Sequence, residues 1–307
     1  MFIADVYGAR AFMRARKIPE QLVLRNAAFV PEMVGNAVAE SVYTHISGID
    51  IVRVGPEEFY VLEDNCRTPS GVSYMLENRE VMMRLFPDLF ARYRVQPVSH
   101  YPEELLETLR SVAPRNCPGE PRVAILTPGS YNSAYFEHSF LADEMGIELV
   151  EGADLIAEDD VVYMRTTEGL QRIDVLYRRI DDAYLDPMVF KPDSMLGVPG
   201  IMAAYRAGNI TLANAPGAGI ADDKGIYTFV PEMIRFFLGE EPILRNVPTW
   251  RCAIDEERGY VLDHLDELVV KDVHGSGGYG MLVGPHASTA ERTAFAEKIR
   301  AFPQQIG

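Results

Sequence analysis

The sequence predicts an α/β protein with α+β elements at both ends and a strand–helix–strand unit at its centre. Three observations carry that expectation. Residues 122–126 and 147–150 are apolar runs flanking residues 132–145, whose apolar spacing suits a helix, and together they form a βαβ unit. Pro and Gly punctuate the chain at residues 111–121 and 215–219, so the unit has borders on both sides. The length, 307 residues, leaves room for further lobes before and after it.

Taken in order, the first segment (residues 1–118) reads as helices over 7–16 and 31–42, then two strands, 48–54 and 59–64, joined by Gly55-Pro56-Glu57-Glu58. The middle segment (119–215) holds the βαβ unit. Strands at 161–165 and 173–178 are expected to continue its sheet, followed by a helix near 200–207 and a strand at 210–213. The last segment (216–307) opens with Asp222 or Asp223 as N-cap of a helix reaching about residue 238. It closes with strand, Gly-rich loop and strand over 268–283.

Composition removes several function classes. Asp and Glu outnumber Lys and Arg by 45 to 29, and the net charge of -16 repels phosphate backbones and anionic lipid, so no nucleic-acid or membrane partner is expected. No apolar run reaches the ~18 residues of a membrane helix, and the first ten residues lack a signal-peptide pattern, so a cytoplasmic location is expected. Cys66, Cys117 and Cys252 lie far apart without C-x-x-C spacing, which fits reduced thiols rather than zinc ligands or a disulfide framework.

Closing the first hairpin on Gly55–Glu58 sets Val54 against Phe59 and therefore Asp50 against Glu63, with Asn65 on the Glu63 face. Like charges opposed across strands are destabilising. Two carboxylates and an amide oxygen beside Val52, Val54, Phe59 and Val61 need a positive charge between them, and oxygen-only ligands select Mg²⁺ or Mn²⁺. The competing reading is a solvated strand end whose charges never meet.

Only five residues are lysines, so a lysine inside a motif is informative. Lys271 stands in the apolar strand Leu268-Val-Val-Lys-Asp-Val273, and His274-Gly-Ser-Gly-Gly-Tyr-Gly280 follows at once. Glycines let backbone N–H groups approach phosphate oxygens, and the lysine supplies a cation. The loop precedes a strand rather than a helix, which removes the dinucleotide fingerprint, and without G-K-[ST] there is no P-loop. A plain Gly-rich turn explains the loop equally well. Lys224 lies in a first helical turn, where the helix dipole disfavours a cation unless an anion compensates it; a solvated lysine paired with Asp222 or Asp223 is the plainer reading of this position alone.

These residues together resemble the circularly permuted ATP-grasp proteins, which include glutathionylspermidine synthase and a branch of peptide ligases. The resemblance is carried by residues 48–53, 60–71, 174–182, 213–217, 221–225 and 270–278, in the order the permuted members show. It implies an ATP-grasp fold with a metal-binding lobe at 1–118, a central Rossmann-like pre-ATP-grasp domain at 119–215 and a nucleotide lobe at 216–307. By the same resemblance Asp50, Glu63 and Asn65 hold Mg²⁺ or Mn²⁺. Lys224 and Lys271 contact ATP, while His274, Gly275, Ser276, Gly277 and Gly278 cover its phosphates. Glutathionylspermidine synthases carry an arginine two residues before the first metal aspartate; Gly48 stands there in this chain, so Arg67 is the expected oxyanion stabiliser. The chain stops before the strand that supplies the adenine hinge in the family and is expected to be a fragment.

The implied activity is an ATP-dependent carboxylate–amine ligase. A small-molecule or peptide carboxylate forms an acylphosphate that an amine captures, releasing ADP and phosphate. The loop after the first central strand places Ser130 or Asn132 where open α/β sheets bind ligands, although an ordinary capped turn accounts for it equally. The alternative is a nucleotide-binding or partner-docking module, an oligomer or one half of a two-chain site, incomplete as a catalyst. Cysteine hydrolase chemistry at Cys66 finds no histidine at a recognisable spacing.

Overall fold

The computed structural model describes residues 1–36, 38–273, 280–303 and 306. At its centre β3 (Val123–Leu126), β4 (Glu148–Val150), β8 (Val175–Arg178) and β9 (Thr211–Ala213) form a parallel sheet in the order β4-β3-β8-β9. Both faces are covered, which is why these strands read as unbroken apolar runs. Val123, Ile125, Val175 and Tyr177 pack under Leu105, Leu109 and Leu141. Ala124, Leu126, Leu176 and Leu212 face the opposite way, into a core shared with Val6, Phe12 and Ile201. The alternation along β3 therefore assigns each residue to one of two cores.

The sequence expected residues 161–165 to extend this sheet, and the structure differs. β5 (Leu155–Glu158), β6 (Val161–Thr166) and β7 (Gly169–Arg172) form a separate antiparallel meander. The cause is a two-residue turn at Asp159 and Asp160, both with positive φ (48° and 57°), the left-handed conformation tight hairpins require. The N-terminal helices are also shorter than read. Phe2–Tyr7 and Ala11–Arg14 are separated at Arg10, whose φ is 54°. The Asp5 carboxylate accepts from the N–H groups of Ala11 (2.7 Å) and Phe12 (3.0 Å), starting the second helix afresh. Likewise Asp223 caps a four-residue helix, Lys224–Tyr227, and Pro231 in the first turn of Val230–Leu238 makes the remainder a second helix.

Ahead of the central sheet, β1 (Gly48–Arg53) and β2 (Phe59–Asn65) form the expected hairpin, with the two-residue β10 (Arg245–Asn246) parallel to β2 on its other edge. The turn holds five residues instead of four, so Arg53 rather than Val54 faces Phe59. An irregularity between Asp50 and Ile51 restores the register beyond it. Asp50 therefore opposes Glu63, and Gly48 opposes Asn65, as the simple count requires. Of the apolar residues beside them, Val52, Val54 and Phe59 are exposed and Val61 is half-buried. At the other end, β11 (Val269–Lys271) pairs antiparallel with β12 (Met281–Val283), and Lys271 stands opposite Met281. His274, Gly275, Ser276, Gly277 and Gly278 lie outside the described residues.

Candidate active site

The hairpin brings Asp50 and Glu63 close enough for their carboxyls to share a hydrogen bond, donated by Asp50 when it is protonated. The Asp50 pKa is raised, first by lost solvation and then by Glu63, while Lys271 and Lys224 pull it down. Lys224 Nζ stands 3.2 Å from Glu63 Oε2, both groups about three-quarters buried. Residues separated by more than two hundred positions thus meet as two carboxylates and two ammonium groups. Among the described residues no set of three His, Cys, Asp or Glu side chains is arranged to hold a metal; the oxygen set here is Asp50, Glu63 and, on the same face of β2, Asn65.

The segment after β2 ties this hairpin to the central sheet. The Asp222 carboxylate accepts from the backbone N–H of Cys66 (2.6 Å) and Arg67 (3.3 Å). Asn214, at the end of β9, accepts from the N–H groups of His45 and Ile46 and donates to the carbonyls of Ile46 and Cys66. Arg67 Nη1 lies 2.9 Å from Asp181 Oδ1. Its stem crosses Gly219, where a Cβ would come within 2.8 Å of Arg67 Cδ, so a larger residue there would displace Arg67. A Cβ at Gly48 would stand 3.1 Å from that of Pro69, so the position that carries an arginine in glutathionylspermidine synthases is crowded here. Burial, with Asp222 and Asp64 nearby, pushes the Cys66 thiol up to about 12, which keeps it a thiol and unsuited to nucleophilic work.

Sequence reasoning missed a second constellation at the carboxyl ends of β3 and β8. Arg179 is buried, stacks over Tyr177 with its guanidinium 5.2 Å from the ring centroid, and donates to Tyr177 Oη (2.8 Å) and Glu137 Oε1 (3.3 Å). Glu137 Oε2 in turn accepts from Gly71 N, Ser73 N and Ser73 Oγ, capping the helix Val72–Leu85 from outside its own segment. His138 Nδ1 lies 2.9 Å from Thr127 Oγ1. These groups border a cleft of about 250 Å³ whose walls include Thr68, Ser70, Asn132, His138, Arg179 and Asp181. Of the two loop residues read as ligand contacts, Asn132 lines the cleft, its Oδ1 also accepting from Ala134 N, whereas Ser130 is exposed to solvent. A larger hollow of about 430 Å³ lies between the helix Val230–Leu238 and residues 241–249, with Tyr227 and the β10 residues Arg245 and Asn246 in its walls.

Burial, reinforced by the charge of Arg179, holds the His138 pKa down at about 4. A base whose folded pKa lies below its unfolded value stabilises the fold fully above the unfolded pKa, and that contribution is lost as pH falls toward the folded one. Asp222 does the reverse: its pKa is raised to about 6, chiefly by burial, so its contribution is present below its unfolded pKa and lost as pH rises through about 6. The two oppose each other over the same window. His138→Gln, which cannot ionise, is expected to gain stability relative to the parent by up to about 3 kcal/mol between pH 7 and pH 4. Paired urea titrations measure it; a difference that stays constant with pH refutes it.

Comparison with known proteins shows the family. The family model described as "A circularly permuted ATPgrasp" matches residues 1–306. An uncharacterized protein of Synechocystis sp. is 55% identical over 303 residues, which is 99% of this chain and 63% of the relative. An uncharacterized protein of Mycobacterium tuberculosis is 52% identical over 303 residues, 99% of this chain and 55% of the relative. A protein of Frankia alni that carries the name "Putative glutamate--cysteine ligase 2-3" is 41% identical over 309 residues, with 99% of this chain and 35% of the relative covered. The chain thus spans little more than half the length of its cyanobacterial and mycobacterial relatives.

Proposed function

The chain belongs to the circularly permuted ATP-grasp family, and we propose that it forms the metal- and nucleotide-binding part of an ATP-dependent carboxylate–amine ligase. The observation that carries this reading is the meeting of Asp50 and Glu63 with Lys224 and Lys271 at the mouth of the β1–β2 hairpin. The donor set suits a hard divalent cation: it is oxygen only, and its two carboxyls face each other with Lys224 and Lys271 close by. Asp50, Glu63 and Asn65 would hold Mg²⁺ or Mn²⁺. When bound, the ion supplies charge neutralisation along the phosphate chain. Lys224 and Lys271 would bind the phosphates of ATP, and the 274–278 loop would cover them.

In this scheme a substrate carboxylate attacks the γ-phosphorus, the bond to the ADP oxygen breaks, and an acylphosphate results. Arg67 stands two residues beyond Asn65 and would stabilise the oxyanion formed when an amine adds to the acyl carbon. The C–O bond to phosphate then breaks, and phosphate leaves with the proton the amine gives up. Glutamate and cysteine are candidates for the two substrates because a Frankia alni relative bears that ligase name.

The test is product analysis on the full-length protein with MgATP and a panel of acids and amines, hydroxylamine being added to trap the acylphosphate as a hydroxamate. ADP and hydroxamate, both dependent on the acid, are expected. AMP would overturn the acylphosphate route, and ADP formed equally without acid would mark a bare ATPase.

A further inference from the structure

The cleft beside the metal-bearing strand has walls of opposite charge. Arg179, whose side chain is only 2% exposed, keeps an Nε–H with no acceptor after its bonds to Tyr177 and Glu137 are counted. On the other wall Asp181 uses Oδ1 for Arg67, and its Oδ2 has no partner among the described residues. Each charge already has a counter-ion, Glu137 for Arg179 and Arg67 for Asp181, and buried His138 is neutral above about pH 4. A guest with net charge would leave the cleft unbalanced, whereas a guest with one positive and one negative end matches both walls. The remaining lining sets the hydroxyl and amide groups of Thr68, Ser70 and Asn132 beside apolar side chains that include Ile180 and Leu196.

Size and position narrow the guest. A cleft of about 250 Å³ falls below the ~300–1,000 Å³ of pockets for drug-sized ligands, which suits one amino acid or a dipeptide. Thr68 follows Asn65 by three residues, so the cleft begins within roughly 10 Å of Asn65. Asp181 pairs with Arg67, two residues beyond Asn65, while Arg179 is tied through Glu137 to Gly71 and Ser73, further along the chain.

We infer that this cleft receives the amine substrate as a small zwitterionic α-amino acid, its ammonium at Asp181 and its carboxylate at Arg179 with Thr68 and Ser70. The role as amine substrate rests on the ligase reading; the binding does not. The chain is titrated with each of the twenty L-amino acids, with and without MgADP, by saturation-transfer NMR and thermal shift. At least one is expected to bind, and its N-acetyl and carboxamide forms are not. Asp181→Asn is expected to weaken that amino acid roughly tenfold or more, as loss of an ionic hydrogen bond implies, and Asp181→Glu to restore part of it. Thr68→Val, a change away from the Arg67 pair, should weaken it also, which keeps the test decisive if Asp181→Asn folds poorly.

No binding by any amino acid, equal binding of the acetylated form, or full affinity in both variants overturns the assignment. Binding without amide formation in the full-length protein leaves the cleft standing and removes the ligase. Acid-dependent hydroxamate without amino-acid binding does the opposite.

Discussion

Glu63→Gln is expected to lower acid-dependent ADP formation by the full-length protein by about 10²-fold or more, while changing its affinity for ATP far less. The substitution is close in volume and preserves the position of the side chain on β2. What it removes is one of the two negative charges that face Lys224 and Lys271. In the resting protein the loss is mild, because Lys224 loses one partner 3.2 Å away and Asp50 loses a repulsive neighbour. During phosphoryl transfer it is severe, because the proposed cation loses a ligand when charge redistributes most. Lys271→Ala gives the contrasting pattern, weakening ATP itself. Steady-state kinetics separate the two: a Glu63→Gln variant whose kcat stays within a few-fold of the parent removes Glu63 from the metal site.

The opposed carboxylates were legible because strand alternation and a short turn leave few registers to choose from. The count was right at Asp50 although its premise was off by one residue at the turn, since the irregularity beside Ile51 compensated. The two lysines stood out by scarcity, and the structure adds what sequence could not, that Lys224 crosses to Glu63. The cleft was illegible for a physical reason. Its walls come from residues 68–70, 128–138 and 179–196, and nothing local in any of them demands a partner. Arg179 follows the last residue of an apolar strand and Glu137 sits in a helix beside His138; only the parallel order β3-β8 places them face to face. The meander at residues 155–172 was misread because its hydrophobic runs suit either sheet, and the positive φ at Asp159 and Asp160 has no unique sequence signature.

The largest effect on stability is expected at Arg178, a residue with no direct part in the proposed chemistry. It is fully buried, donates to the carbonyls of Asn214 (2.5 Å), Ile180 (2.8 Å) and Ala215 (3.1 Å), and stands 2.7 Å from Asp182 Oδ1. Asp182 Oδ2 accepts from Gly217 N at 3.0 Å, so the pair fixes the chain on both sides of the turn after β9. Arg178→Met fills similar volume yet leaves Asp182 Oδ1 and the carbonyls of Asn214 and Ile180 without the donor Arg178 supplies. Breaking one member of a buried pair costs about 3–5 kcal/mol, a large part of the ~5–15 kcal/mol that holds a domain together. Denaturation should therefore show a large fall in the midpoint. Adding Asp182→Leu should recover part of it, since removing both charges spares the fold an uncompensated one. The consequence reaches the site through Asn214, whose backbone carbonyl Arg178 holds and whose side chain anchors Ile46 ahead of β1 and Cys66 behind β2. Where the variant still folds, the Asp50–Glu63 hairpin should lose hydrogen-exchange protection before the central sheet does. A loss of less than about 1 kcal/mol, or protection lost first from β3 and β8, would show that Arg178 is not the group that ties the hairpin to the sheet.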